Sequence, residues 1–199
     1  MDTESWSNAS DGTCRLVRLS SPSALLPNPT NDYLASVGVP SHVIFECDSA
    51  FEIRFAALAK PLVSYASLVK WGDFYDAGLE KRWQTRIIIA DEEFCNGTAC
   101  HCVNADTGEI VRTDCELSNP ECFVNSSIQQ FAAFARAAIA WSNSGSDDTA
   151  KLQSKLIEID GHAMTNENGY WPGLFFHGDD YQQPFWRVRC DPSRSEDRF

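Results

Sequence analysis

The chain has 199 residues, 43% of them hydrophobic and 22% charged, with six Trp and twelve Phe. That is globular composition, enough for one domain with a sizeable core, and it excludes a disordered chain. Sixteen Lys and Arg against twenty-eight Asp and Glu leave a net charge of −12, which repels phosphate backbones and anionic lipid; direct nucleic-acid or membrane binding is not expected, and a basic partner is favoured.

The opening residues, MDTESWSNAS, lack the cationic and apolar regions of a signal peptide, and no apolar run is long enough to span a bilayer. This predicts a cytoplasmic protein whose eight Cys are reduced thiols. Residues 1–24, rich in Ser, Pro, Asn and Asp, read as a flexible arm. A short helix fits Thr30 to Val37, with Thr30 as its N-cap. Gly38 supplies the left-handed exit and Pro40 prevents continuation. VIFEC (43–47) and FEIRF (51–55) are strand-like around a turn at Asp48-Ser49-Ala50. In the second, Phe51, Ile53 and Phe55 share one face. Residues 60–84, with Trp71, Tyr75 and Trp83, carry no clear period.

TRIIIAD (85–91) is a continuous apolar run suited to a central strand covered on both faces. TACHCVN (98–104) and GEIVRTDC (108–115) flank Asp106-Thr107-Gly108, a hairpin signal. Asn125-Ser126-Ser127 fits a glycosylation sequon but also starts a helix. Asn125 or Ser126 can cap it, Gln129 can close a capping box from Ser126, and Ile128, Phe131, Ala132, Ala135, Ala138 and Ile139 follow at helical spacing. With no export signal and the expected helical sequel present, residues 126–141 are read as a helix. A second helix begins at Asp147-Asp148, buries Leu152, Leu156 and Ile159, and stops at Gly161. YWPGLFF (170–176) is aromatic packing or loop, and residues 179–199 read as a frayed tail.

The search for chemistry yields no catalytic residue, cofactor or metal. Cys95, Cys100, His101 and Cys102 are dense in ligand types, but alternation on a strand turns His101 away from its neighbours, which suits buried thiols better than a tetrahedral zinc site. Deaminase, P-loop, zincin, dinucleotide and nucleophile-elbow patterns are missing. Asp106-Thr107-Gly108 has the triplet of an aspartic protease without its apolar strand, and a turn explains it better. The acidic pairs at 147–148 and 179–180 read as a cap and as solvated surface. His162 and His177 are isolated.

Five pieces of sequence in order suggest more: LPNPTNDYLASVGVP (26–40), RIIIADEEFCNGTACHCVNADTGEIVRTD (86–114), FVNSSIQQFAAFARAAIAW (123–141), LQSKLIEIDGHAM (152–164) and YWPGLFF (170–176). Together they resemble the SUKH superfamily: an opening helix with a Gly-x-Pro exit, a central strand, a strand–turn–strand with Thr-Gly at the bend, an Asn-Ser-Ser helix start, and a closing helix with an aromatic segment. The family holds bacterial immunity proteins of polymorphic toxin systems and is related to eukaryotic cell-wall regulators. The resemblance implies one α+β domain over residues 25–178, with a twisted, mostly antiparallel sheet and helices beside it. It also implies binding, not catalysis. The expected partner is a cognate toxin domain, nuclease or otherwise. The alternative is a regulatory protein-binding scaffold without a toxin. The cysteines at 95, 100 and 102 and the tail after Asp179 depart from the family pattern.

Partner contact is expected at acidic and aromatic residues: Trp71, Asp73, Tyr75, Asp91, Glu92 and Glu93. Aromatic side chains bury large area with few rotors, and carboxylates beside them pair with the Lys and Arg of a phosphate-binding toxin. The same residues also fit a bland reading, in which Trp71 and Tyr75 are core and 91–93 is a solvated acidic turn.

Overall fold

A computed structural model describes residues 15–46, 51–71, 76–93, 99–172 and 187–190, with backbone alone for Phe51, Ala56, Glu93 and Arg187. In chain order come β1 (Leu16–Val17), α1 (Asn28–Ser36), β2 (Val39–Pro40), β3 (His42–Glu46), β4 (Phe51–Arg54), a 3-10 turn (Ala56–Ala59), α2 (Tyr65–Leu68) and α3 (Ala77–Trp83). Then follow β5 (Arg86–Glu93), β6 (Cys100–Asn104), β7 (Ile110–Thr113), β8 (Glu121–Asn125), α4 (Ile128–Asn143), α5 (Thr149–Ile159), α6 (Gly161–Thr165) and β9 (Arg187–Cys190). The expected α+β fold is present.

Seven strands form one antiparallel sheet in the order β8-β7-β6-β5-β4-β3-β9, and β1 pairs with β2 beside it. The run at 85–91 is the central strand because it is apolar on both sides. Ile87 and Ile89 enter the main core, while Ile88 enters a second cluster with Tyr65, Trp83, Cys100, Cys102 and Val111. The hairpin β6–β7 turns at Gly108, whose φ of +82° only Gly adopts without strain. Gly38 does the same after α1 at +81°, and a side chain there would meet the Val17 carbonyl.

Helix α4 lies on the first face of the sheet and buries Ile128, Phe131, Ala132, Phe134, Ala135, Ala138 and Ile139. Each of its large apolar side chains contributes about 1.5–3 kcal/mol on burial. Trp171 packs on Phe134 at 5.2 Å and Phe45 at 5.9 Å between ring centroids, which draws residues 170–172 into the same core. Under the opposite face the short helices α2 and α3 form a thinner cover. Asp76 starts α3 by accepting from the amides of Gly78 (2.7 Å) and Leu79 (2.9 Å).

Several sequence expectations need correction. The cap of α4 is Ser127, not Asn125 or Ser126; its hydroxyl accepts from the Gln130 amide at 3.3 Å and donates to Gln130 Oε1 at 2.8 Å. Ser126 and Asn125 are occupied elsewhere. Asp160 Oδ2 accepts from the Ser126 amide (2.7 Å) and the Asn125 side-chain amide (3.2 Å), and Asn125 Oδ1 accepts from the Trp171 indole (3.0 Å). Asn125 is fully buried, so the folded chain offers no glycan acceptor there. Helix α1 begins at Asn28 behind Pro27, not at Thr30, because Pro is readily placed in a first turn. Gly161 does not stop a helix; Asp160 breaks it and caps α6 through the Ala163 amide.

The arm and the tail also contribute structure. Val17 and Leu19 are buried beside β2, and Val188 is fully buried in β9. Four residues of edge strand gain enough from pairing with β3 to dock, which their composition does not announce. Cys190 is in a disulfide whose other cysteine lies outside the described residues, so the expectation of reduced thiols fails there. Cys100, Cys102, Cys115 and Cys122 are free thiols. The turn expected at 48–50 also lies outside the described residues.

Candidate partner-binding surface

Residues 91–93 are not a turn. They continue β5 and pair with β4 in the register Arg54↔Asp91, Ile53↔Glu92 and Glu52↔Glu93. Strand alternation therefore sends Asp91 and Glu92 to opposite faces. Asp91 faces the second cluster: it is half-buried, accepts from Arg54 Nε at 2.8 Å, and stands opposite Cys100 in the register.

Glu92 faces the helices and is 6% exposed. Its Oε2 accepts from Arg112 Nε (3.0 Å), His101 Nε2 (3.2 Å) and the Tyr170 hydroxyl (3.3 Å). Burial pushes its carboxyl up, but the His101 ring and the Arg112 guanidinium outweigh burial and hold it down to about 2. Burial lowers the Arg112 value in turn, and Glu92 more than restores it, so the pair stays charged. Arg112 also donates to Asp114 at 3.3 Å. The cluster ties β5, β6 and β7 to Tyr170 across the sheet. His101 is fully buried, with its Nδ1 left without a hydrogen-bond partner.

Trp71 is half-buried beside α2 and α3. Its ring lies 5.3 Å from that of Trp83, and its indole N–H donates to the Ala66 carbonyl at 3.2 Å. It packs against the cluster that contains Cys100, which puts it on the same face as Asp91. Asp73 and Tyr75 lie outside the described residues, as does the side chain of Glu93. Of the six expected contact residues, Trp71 and Asp91 thus share a face, and Glu92 is on the other.

The thiols around this face are held protonated. Burial, then Asp91 and Asp114, push Cys100 up to about 12, and burial drives Cys102 well above the ordinary thiol value. Such thiols pack as small apolar groups. Among the described residues, no three His, Cys, Asp or Glu side chains converge as metal ligands. Val63 before α2, Leu68 at its end and Leu117 after β7 are 48%, 50% and 50% exposed. Sequence reasoning missed them because exposure of a single Val or Leu has no sequence signal.

No curated protein and no solved structure matches the chain. A family model described as SUKH-4 immunity protein, within the SUKH superfamily, matches residues 6–177, from before β1 to beyond the buried Tyr170 and Trp171. The seven-stranded sheet carrying α4, the Asn-Ser-Ser joint and that match agree: the chain belongs to the SUKH-4 immunity protein family.

Proposed function

We propose that the chain protects its cell by binding a cognate toxin domain in the cytoplasm and blocking it without turnover. Family membership carries this reading, because immunity proteins of this kind act on protein toxins. The charge of −12 supports a basic toxin, such as a nuclease, whose Lys and Arg would otherwise hold phosphate. Inhibition then follows from occupying that basic surface. Asp91 and Trp71 on the thinly covered face, with Asp73, Tyr75 and Glu93 next to them in sequence, are the proposed contacts. Glu92 supports the strand from the other side. No helix among the described residues is long and apolar enough to cross a membrane.

The test is co-expression with the C-terminal domain encoded by the neighbouring reading frame. Cells carrying both should grow, and the two chains should purify together. Cells that die as they do without the chain would refute the proposal.

A further inference from the structure

The two end strands of the large sheet are secured in different ways. β8 leads into α4, and its last residue, Asn125, is buried and donates to Asp160 at 3.2 Å. β9 is four residues long and pairs with the outer edge of β3 in the register Phe45↔Val188 and Val43↔Cys190. The Val188 amide donates to Ser142 Oγ at 3.0 Å, and Arg189 Nε donates to Glu46 Oε1 at 2.8 Å. Of the described β9 side chains Val188 alone is fully buried; Arg189 and Cys190 are half-buried.

These ties seat the strand with little to spare. Burying one Val offsets the backbone ordering of roughly one or two residues, while four are ordered, and the ladder to β3 makes up the difference. The Arg189–Glu46 pair is partly open to water and adds little. The covalent tie is the disulfide at Cys190. Its other half is Cys14, Cys47 or Cys95, because Cys100, Cys102, Cys115 and Cys122 are free thiols. All three candidates precede α4 in sequence, so the bond joins β9 to the body of the chain by a route other than residues 173–186. In a reducing cytoplasm such a bond is transient, and half-buried Cys190 is within reach of small thiols.

We infer that the Cys190 disulfide is a redox latch on β9. Closed, it holds the strand against β3. Opened, it lets β9 leave and bares the edge of His42–Glu46, a strand with four buried residues and a template for further pairing. Opening consumes two molecules of a low-molecular-weight thiol. The protein S–S bond and the two small-thiol S–H bonds break, a new S–S bond joins the two small thiols, and both protons pass to the freed cysteines. Two electrons go from the small thiols to the protein sulfurs. Closing is the reverse, with a small disulfide as oxidant. The latch is a property of the chain alone and does not require the immunity reading.

The test uses the full chain equilibrated with either oxidised or reduced glutathione. Free thiols are blocked by alkylation, and the chain is then mapped by mass spectrometry. Cys190 should resist alkylation in the oxidised sample, linked to one of the three candidates, and should be alkylated in the reduced one. On reduction, amides of residues 187–190 should exchange faster by a factor at least about tenfold greater than those of β6. Cys190→Ser should exchange like the reduced wild type under both conditions. Alkylation of Cys190 in the oxidised chain would overturn the inference. So would exchange at 187–190 that is the same in both states, or that rises no more than in β6. A serine variant whose β9 still responds to thiol would overturn it too. Mapping and exchange of the wild type decide the matter even if that variant does not fold.

Discussion

The two faces of the central sheet are built differently. On one, a sixteen-residue helix lays down a continuous apolar stripe, Trp171 closes the packing, and the buried Asn125–Asp160 joint and Glu92 cluster fix the ends. On the other, helices of four and seven residues cover a smaller cluster and leave Val63, Leu68 and Leu117 projecting. The contrast assigns most of the fold's stability to the first face, and under the proposed function it leaves the second for contact. A face meant to seat a partner keeps apolar side chains in water, and a face meant to hold the fold does not.

Changes on the helix face should therefore act on folding, with the largest effect where a charge enters the stripe. Phe131, 2% exposed, packs on Phe55 at 5.8 Å. Phe131→Asp would bury an unpaired carboxylate and abolish the cooperative fold, with a loss of more than about 4 kcal/mol. Denaturant unfolding followed by Trp fluorescence reads this directly. A variant with the wild-type midpoint would show that the stripe does not carry the fold.

Glu92→Gln comes next. It leaves buried Arg112 with Asp114 as its remaining charged partner and should cost about 3 kcal/mol. The same residue sets an acid limb. Its folded value of about 2 lies below the ordinary 4.5, so its contribution is fully present above pH 4.5 and is lost as the pH falls from there towards 2. Wild type should lose about 3 kcal/mol more than Glu92→Gln across that window. Parallel pH profiles for the two proteins would contradict the cluster as drawn.

The thin face should respond more weakly. Tyr65→Phe removes the acceptor of the Cys115 amide and should cost about 1 kcal/mol. Faster amide exchange at residues 113–117 should accompany it, with the stripe of α4 unaffected. Loss of protection in α4 as well would mean that the two faces are one cooperative layer in this respect.

The elements that were legible in the sequence had strong local signals. Helix α4 combined a polar start with six of its seven buried positions at helical spacing, Phe134 being the one not read from the pattern. The β6–β7 hairpin had a Gly at the one position of its turn with positive φ. Elements held by tertiary pairing were not legible. Strand β9, RVRC, alternates charged and apolar residues over four positions inside a tail that reads as polar. Strand β1 is two residues long and exists only against β2. Residues 60–84 hid two short helices because neither is long enough to display a period.

The surface was less readable than the fold. Asp91 and Glu92 look alike in sequence, and only the register with β4 shows that one meets Arg54 while the other is sealed against Arg112 and His101. Trp71 stands out in the sequence as an aromatic residue, with no indication that its indole is bonded to the Ala66 carbonyl. Leu68 and Leu117 are 49 residues apart, and the bond from the Cys115 amide to the Tyr65 hydroxyl, which links the turn after β7 to α2, has no signal in the sequence.

The central claim is that an acidic chain neutralises a basic toxin by direct contact. It is tested most directly by rapid-mixing association of the purified chain with the C-terminal domain of the neighbouring reading frame, at several salt concentrations, with toxin activity assayed in the same mixtures. A stoichiometric complex that silences the toxin should form, and its association rate should fall steeply as salt rises, because screening shortens the reach of the −12 charge. A toxin that stays active at equimolar chain, or an association rate indifferent to salt, would contradict it.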